Sequence, residues 1–526
     1  MYSPWHLGMR ELLTTEGKYA AMALNMNFFI PVTSAHGEIL SYYPLYPWIV
    51  SIAYKCGLNL EFGLRLISIL SLAGLGIIVF VVVRRAWGFH EAIVSTSFMI
   101  GNMLVFEKAI DGNPFLTGEM LLVLAWLLWY HNGIVKNNWN KAWIYSSIFC
   151  GLSFYTMGWA SVFYFFLPLI FMRRPLTLWK KLNYRGFKIG IIIIVCFLLL
   201  WLLPRMLLII QSPIAQNSFN NIFTQHYISD VLLYPLAVIG GLLPWIILAW
   251  PAFCVAYYPL DKNPIFSRFI RIIFLTILVI IWFNPFTEAR DLMLLVPPLA
   301  ILVGANYQIL IRRHGKGLHQ FFLFLLIIML ILSGLILFAF LMPFSMWENS
   351  PIFQYIHTAF LPNGIEFFKE YKIWGIVQSS SALLFGIIIL LFLKLKKLSI
   401  YVHGLSICII LMLCFWSVTY PYRSQENEAR KTASKFINLM GSQYSEDMII
   451  YKIPQISDIY VLGCYLKADI KNFIPSKNKS KDVYLFSVEQ PAYQGFNWNM
   501  LGSESYKGKS LSLWKGVREQ KTLIFQ

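Results

Sequence analysis

The sequence predicts an α-helical polytopic membrane protein of about twelve spans, followed by a small C-terminal α/β domain outside the membrane. Three observations carry this. Of 526 residues 58% are apolar and only 13% are charged, about half the charged share of a soluble globular protein. Apolar runs of bilayer-crossing length recur almost without interruption as far as residue 420. The basic residues sit in short clusters between those runs, as cytoplasmic loops do. Such a composition excludes a cytosolic enzyme, a disordered protein and a secreted disulfide scaffold. The formal charge of +18 is not a nucleic-acid signature, because the cations are dispersed among membrane spans.

Residues 1–63 come first. They are too apolar for a free tail and too broken to span, so helices lying in the membrane interface are expected. Spans are then expected near 64–83, 89–106, 115–130, 142–156, 159–172, 189–211, 232–258, 271–284, 292–311, 319–342, 374–393 and 400–420. The positive-inside rule places Arg84-Arg85, Lys136 with Lys141, Arg173-Arg174 with Lys180-Lys181 and Arg185, Arg268 with Arg271, Arg312-Arg313 with Lys316, and Lys394 with Lys396 and Lys397 in the cytoplasm. Segments 107–114, 212–231, 285–291 and 343–372 then lie outside. Because Lys141 and Arg173 share a side, the run 142–172 must cross twice, turning near Met157-Gly158. The same parity puts residues 1–63 outside with no preceding helix to carry them, so a span upstream of Met1 is expected.

Three domains follow: an extracytoplasmic interfacial segment 1–63, a membrane domain 64–420 and an extracytoplasmic α/β domain 421–526. In the last, Arg423–Met440 reads as an amphipathic helix with Ala433, Phe436, Ile437 and Met440 on one side. Met448–Ile453, Ile459–Leu466, Val483–Val488 and Leu511–Lys515 read as strands, and the stretch from Pro475 to Lys481 as a loop. Cys150, Cys196, Cys254, Cys408 and Cys414 lie in apolar runs as small core residues. Cys56 and Cys464 lie outside the membrane, where a bridge between them is one alternative. There is no CxxC and no metal-ligand spacing.

Charged groups in the outer loops are the chemical candidates. Glu11, Glu16, Lys18, His36 and Glu38 stand among Tyr19, Phe28, Phe29, Tyr42, Tyr43, Tyr46 and Trp48. The rings suit an interfacial belt, whereas acids near a membrane surface need partners. Asp111, in Asp-Gly-Asn-Pro, suits a helix N-cap and equally a carboxylate lining an outer site. Glu119 sits inside an apolar run, either hydrogen-bonded within the bundle or functional. Arg290 is a lone outer cation between Glu288 and Asp291; it pairs with one of them or binds phosphate through its guanidinium fork. Arg205, near the end of its span, either snorkels or faces the same anion. Carboxylates facing cations at the outer surface suit transfer from a lipid-phosphate donor, with a carboxylate as general base and cations on the leaving phosphate. No nucleotide-binding glycine loop is present.

The succession Thr15-Glu16-Gly17-Lys18-Tyr19-Ala20, Gly37-Glu38, Tyr43-Pro44-Leu45-Tyr46-Pro47-Trp48 and Glu61-Phe62-Gly63-Leu64-Arg65-Leu66 resembles the polyprenyl-phosphate-dependent glycosyltransferases of the GT-C superfamily. The nearest branch is that of the lipid A aminoarabinose transferases and protein O-mannosyltransferases. The resemblance continues through the Asp111 motif, Thr156-Met157-Gly158, Leu242-Leu243-Pro244-Trp245, and Arg290 before Val296-Pro297-Pro298-Leu299-Ala300. It therefore runs through nearly the whole chain.

It implies a GT-C-like bundle with outer interfacial helices that transfers a sugar with inversion from a polyprenyl-phosphate donor. Glu16 and Asp111 would occupy the catalytic acidic positions. Lys18 and Arg290 would hold the donor phosphate, and Tyr19, Glu38, Tyr42, Tyr46 and Trp48 would line the substrate groove. The chain departs from the family at Thr15, where an acid is usual. It departs again at Ser41-Tyr42 in place of Glu-Lys, at Tyr43 in place of the first proline, and at Met157 in place of Lys.

The expected protein is thus a membrane glycosyltransferase of the bacterial inner membrane. Its partners are the donor lipid, membrane lipids and a lipid A-like glycolipid, envelope glycan or protein acceptor, with no nucleic acid. No cofactor is implied with certainty; the acidic loops leave a divalent metal open. The competing readings are a transporter or lipid flippase, and a catalytically degenerate protein of the same fold.

Overall fold

The structure, a computed structural model, describes residues 7–8, 10–26, 34–35, 38–39, 43–108, 111–172, 177–209, 227–242, 245–284, 289–342, 372–394, 406–414, 428–445, 448–453, 459–473, 482–493, 495–507 and 509–518. In chain order the elements are α1 (Thr14–Leu24), β1 (Ser34–Ala35), β2 (Glu38–Ile39), α2 (Leu45–Lys55), α3 (Leu60–Ala86), α4 (Phe89–Ile100), α5 (Met103–Lys108), α6 (Pro114–Tyr130), α7 (Trp139–Met157), α8 (Trp159–Phe171), α9 (Leu178–Leu182), α10 (Arg185–Ile209), α11 (Tyr227–Gly241), α12 (Pro264–Phe283), α13 (Val296–Leu341) and α14 (Lys372–Lys394). The C-terminal region adds α15 (Glu428–Met440), β3 (Ile449–Lys452), α16 (Tyr460–Leu466), β4 (Asp469–Asn472), β5 (Asp482–Ser487), β6 (Phe496–Tyr506) and β7 (Lys509–Arg518). Among the described residues five helices are long and apolar enough to cross a membrane: Leu60–Ala86, Arg185–Met206, Pro264–Phe283, Arg290–Leu341 and Lys372–Leu393. The chain is a multi-pass membrane protein.

The fold divides into two units. The first comprises residues 1–67, 196–217 and 426–526, and the second residues 68–195 and 218–425.

In the second unit α6 and α7 pair, and α13 packs against α4, α12 and α14. The expected turn at Met157-Gly158 is present. Gly158 has φ +72°, a left-handed conformation that glycine adopts without a Cβ clash, and α8 begins at the next residue. The expected spans 292–311 and 319–342 form one helical run whose dihedrals break only at His314.

Two expectations need correction. The span expected at 89–106 is interrupted: α4 ends at Gly101, and the Asn102 side chain accepts from Leu104 N at 3.1 Å to start α5. The span expected at 232–258 becomes α11 followed by two 3-10 helices, Trp245–Ala252 and Val255–Leu260. Pro251 and Pro259 inside those segments remove the N–H groups that a continuous α-helix needs.

In the first unit a five-stranded sheet has the order β4-β3-β5-β7-β6. Strand β3 runs parallel to β4 and β5, and β7 is antiparallel to β5 and β6. The segment Ile459–Leu466 corrects a third reading, since its core is the helix α16 rather than a strand. Parallel neighbours β3 and β4 require a crossover, and Tyr460–Leu466 supplies it, ending at Lys467 in the left-handed region. Strands β4 and β6 were not anticipated, and the expected loop 475–481 lies outside the described residues.

One hydrophobic core joins the two ends of the chain. Ala20, Met22 and Tyr46 from the N-terminal helices cluster with Phe436, Leu462, Leu466 and Phe486. Gly17 makes this approach close. A Cβ there would stand 2.4 Å from Val461 Cγ2 and 3.0 Å from Val461 N. Substituting Gly17→Leu should therefore force α1 and α16 apart at a cost of about 1–3 kcal/mol. Limited proteolysis of the purified protein should then release the 428–526 region faster than from the parent. Cys464 is buried in this contact and Cys56 is exposed, and both are free thiols, so the bridge between them does not form.

Candidate active site

The first turn of α1 is built around Glu16. Leu13 N donates to Glu16 Oε2 at 2.9 Å, so the carboxylate satisfies an orphan donor at the helix start. Arg65, on the first turns of α3, meets it with a guanidinium fork: Nε to Oε1 at 3.1 Å and Nη2 to Oε2 at 2.8 Å. Arg10 Nη2 adds a contact to Oε1 at 3.3 Å. Arg65 also donates to the carbonyls of Leu7, Arg10 and Glu11, which ties the chain before α1 to α3. Glu16 is 0% exposed and Arg65 1%. The arrangement is a buried ion cluster in which both carboxylate oxygens are engaged by arginine.

Glu11 lies beside it. Its Oε1 accepts from Ala429 N at 2.8 Å, capping the start of α15, while Oε2 has no hydrogen-bond partner. Burial, opposed by the Ala429 hydrogen bond and by Arg430, pushes the carboxyl up to about 7. Folded Glu11 thus keeps its proton to near pH 7, whereas the unfolded group loses it near its ordinary value of 4.5. The folded state binds more protons across that window, so stability falls as pH rises through it. The Glu11→Gln variant keeps an acceptor for Ala429 N and should gain on the order of 2 kcal/mol over the parent at pH 8. Its unfolding midpoint should vary less than the parent's between pH 5 and 8.

The other expected residues of α1 and α2 are nearby. Tyr19 meets Tyr46 edge to face with centroids 5.6 Å apart. Tyr46 is fully buried and its hydroxyl donates to Leu64 O at 2.8 Å. Lys18 is half-buried, with Nζ 5.9 Å from the Tyr460 ring centre, and Lys452 Nζ approaches that ring at the same distance. Thr15 is exposed. Tyr43 stacks on Trp201 at 5.2 Å, and the Arg205 guanidinium lies 4.9 Å from the same indole. Glu38 pairs through its backbone with Ala35. Tyr42 lies outside the described residues.

Asp111 and Arg290 belong to the second unit. Asp111 is half-buried in the turn between α5 and α6, where its N–H donates to Lys108 O at 3.3 Å. The expected capping role falls instead to Asn113, whose Oδ1 accepts from Phe115 N at 2.9 Å. Asn113 N in turn donates to Ser68 Oγ at 2.9 Å, which pins the start of α6 to α3. Arg290 and Asp291 open a 3-10 helix, Ala289–Leu295, that packs against α5, α6 and α12. The structure therefore brings the Arg290 segment to the two helices that flank Asp111. Glu119 is buried in α6 with Oε2 lacking a hydrogen-bond partner.

Arg65 and Arg10 were not singled out as functional candidates from sequence. Arg65 carried a usable signal, a cation within an apolar helical run, which requires a partner. Among the described residues no three His, Cys, Asp or Glu side chains gather as a metal-holding group.

Known proteins bear on this arrangement. Residues 41–201 match a family model described as dolichyl-phosphate-mannose-protein mannosyltransferase. In fold the chain is similar to the crystal structure of ArnT from Cupriavidus metallidurans bound to undecaprenyl phosphate. That likeness has a TM-score of 0.69 and 16% identity, over 97% of this chain and 95% of that one. The apo structure of the same ArnT matches at a TM-score of 0.69 and 17% identity, with equal coverage. No curated protein matches in sequence. The resemblance read from the motifs to polyprenyl-phosphate-dependent GT-C glycosyltransferases is borne out.

Proposed function

We propose that this protein transfers a sugar from a polyprenyl-phosphate donor to an acceptor at the outer face of the bacterial inner membrane, with inversion at the anomeric carbon. The observation that carries the reading is the ArnT-like fold over 97% of the chain. It is supported by the match of 41–201 to mannosyltransferases that use a lipid-phosphate sugar, and by the undecaprenyl phosphate held by the ArnT structure. The acceptor is a lipid A-like glycolipid, another envelope glycan or a protein.

In this reading Asp111 is the general base. It takes the proton of an acceptor hydroxyl as that oxygen bonds to the anomeric carbon, and the bond from that carbon to the phosphate oxygen breaks. The electron pair leaves on the polyprenyl phosphate, where Arg290, in the same unit as Asp111, stabilises the growing charge. Glu16 is the weaker choice for base, because Arg10 and Arg65 hold both its oxygens. It serves instead to order α1 and the segment before it. The burial of Tyr19 and Tyr46 supports a shaping role for that pair, which leaves Glu38, Tyr42 and Trp48 to meet the substrate. The C-terminal domain then stands outside the cytoplasm.

Mass spectrometry of lipid A, envelope polysaccharide and glycoproteins from a strain lacking the gene tests this. One defined sugar should disappear from one fraction relative to the parent strain. Unchanged fractions would overturn the reading.

A further inference from the structure

The 3-10 helix that carries Arg290 lies near two buried tyrosines of the same unit. Tyr164 on α8 is 3% exposed and Tyr234 on α11 is 8% exposed. Both lie within electrostatic range of the Asp291 carboxylate, and Tyr234 lies within range of Tyr164. Helices α8 and α11 and the 3-10 helix all pack on α12. We propose that the Tyr234 hydroxyl donates a hydrogen bond to the phosphate of the polyprenyl-phosphate donor, beside Arg290. The inference rests on the glycosyltransferase reading and adds a binding residue to its site.

The hydroxyl is buried and has no hydrogen-bond partner among the described residues. Asp291 is in range but does not accept it. A buried donor left unpaired costs the folded protein more than an apolar group in its place. A ligand oxygen that accepts the bond removes that cost. The ring itself is fixed. It stacks on Trp282 of α12 with centroids 6.1 Å apart and planes at 16°. Trp282 Nε1 donates to Val231 O at 2.8 Å, which ties α12 to α11 just before Tyr234. The phenol is thus held in place with its donor unused, which lowers the cost of ordering it on binding.

Phosphate is the acceptor that the neighbouring chemistry favours. Arg290 directly precedes Asp291 on the 3-10 helix, and its guanidinium fork matches phosphate oxygens. A guanidinium beside an acid divides its charge between that acid and a ligand. The Tyr234 hydroxyl is not divided in this way, because Asp291 leaves it unbonded. A neutral phenol supplies one O–H donor, and its bond to an ionised phosphate oxygen is of the stronger, charge-assisted kind. The topology expected from the basic clusters also brings these groups to one end of the bundle. Segments 212–231 and 285–291, expected outside, lead into Tyr234 and Arg290, and the turn at Gly158 leads into Tyr164.

The test compares the full-length protein with its Tyr234→Phe variant in nanodiscs, titrated with radiolabelled polyprenyl phosphate, polyprenol and a polyprenyl-phosphate sugar. Removing the hydroxyl should weaken binding of polyprenyl phosphate at least about tenfold, the loss expected for one hydrogen bond to a charged group. Binding of polyprenol, which lacks the phosphate, should not change. The unfolding midpoint of the variant should equal or exceed the parent's, because an unpaired buried hydroxyl is gone. Unaltered binding of polyprenyl phosphate would overturn the inference. So would an equal loss for polyprenol, which would mark a change of shape, or a loss confined to the sugar-bearing donor, which would move the contact to the sugar. A lowered midpoint would also overturn it, since the hydroxyl would then have a partner inside the protein. Release of polyprenyl phosphate from the labelled donor is measured on the same samples. Hydroxyl-dependent phosphate binding without release in the parent refutes the transferase reading and leaves the phosphate contact standing. Release in the parent with unaltered phosphate binding in Tyr234→Phe refutes the contact alone.

Discussion

Replacing Arg65 by methionine should destabilise the first unit by about 3–5 kcal/mol, because it removes one partner of a fully buried pair and strands a carboxylate. Of its two arginine partners Glu16 would keep Arg10 at 3.3 Å, beside the Leu13 N–H at 2.9 Å, and the carbonyls of Leu7, Arg10 and Glu11 would lose their shared donor. Lysine should not rescue the change, since a point charge cannot reproduce the fork to both Glu16 oxygens. The double change Arg65→Met with Glu16→Gln should cost less than the sum of the single changes, because the stranded charge is gone. Thermal unfolding of the four proteins in detergent measures the coupling. Strict additivity would show that the cluster contributes no pairwise stabilisation.

The second large effect is expected at Asp111. Asparagine there keeps size and hydrogen bonding but cannot take a proton at neutral pH. Turnover should fall about 10²–10⁴-fold, with donor binding retained. The fold should not suffer, because the cap of α6 is Asn113 and not Asp111. Glu16→Gln should behave differently, lowering stability and activity together, since that carboxylate meets two buried arginines. A loss of turnover confined to Glu16→Gln, with Asp111→Asn fully active, would reverse the two assignments.

The membrane helices were legible because long apolar runs have few alternatives to a helix in a bilayer. Gly158 was legible for a related reason, since two basic clusters expected on one side of the membrane demand a turn between them. The interruption at Gly101-Asn102 was hidden because the residues around it are apolar and a span of that length looks complete. Tyr460–Leu466 was misread because a short apolar run cannot be told from a strand by periodicity alone. Only the parallel pairing of β3 with β4 makes it a crossover helix.

At the site, Glu16 and Lys18 stood out as charges in an apolar segment. The partner that dominates Glu16 is Arg65, 49 residues away in sequence, and no local pattern links them. The shared core of the two chain ends was equally hidden, since Ala20 and Tyr46 meet Phe436 and Phe486 only through folding. Asp111 was read correctly as sitting at a helix start, but the capping group is two residues later.

The most direct measurement is the release of polyprenyl phosphate when the purified protein, in liposomes with an envelope lipid extract, is given a labelled polyprenyl-phosphate sugar. The account predicts release together with label in one acceptor fraction, both falling at least about 10²-fold in Asp111→Asn. Movement of intact donor across the bilayer without cleavage, or cleavage that Asp111→Asn leaves untouched, would contradict it.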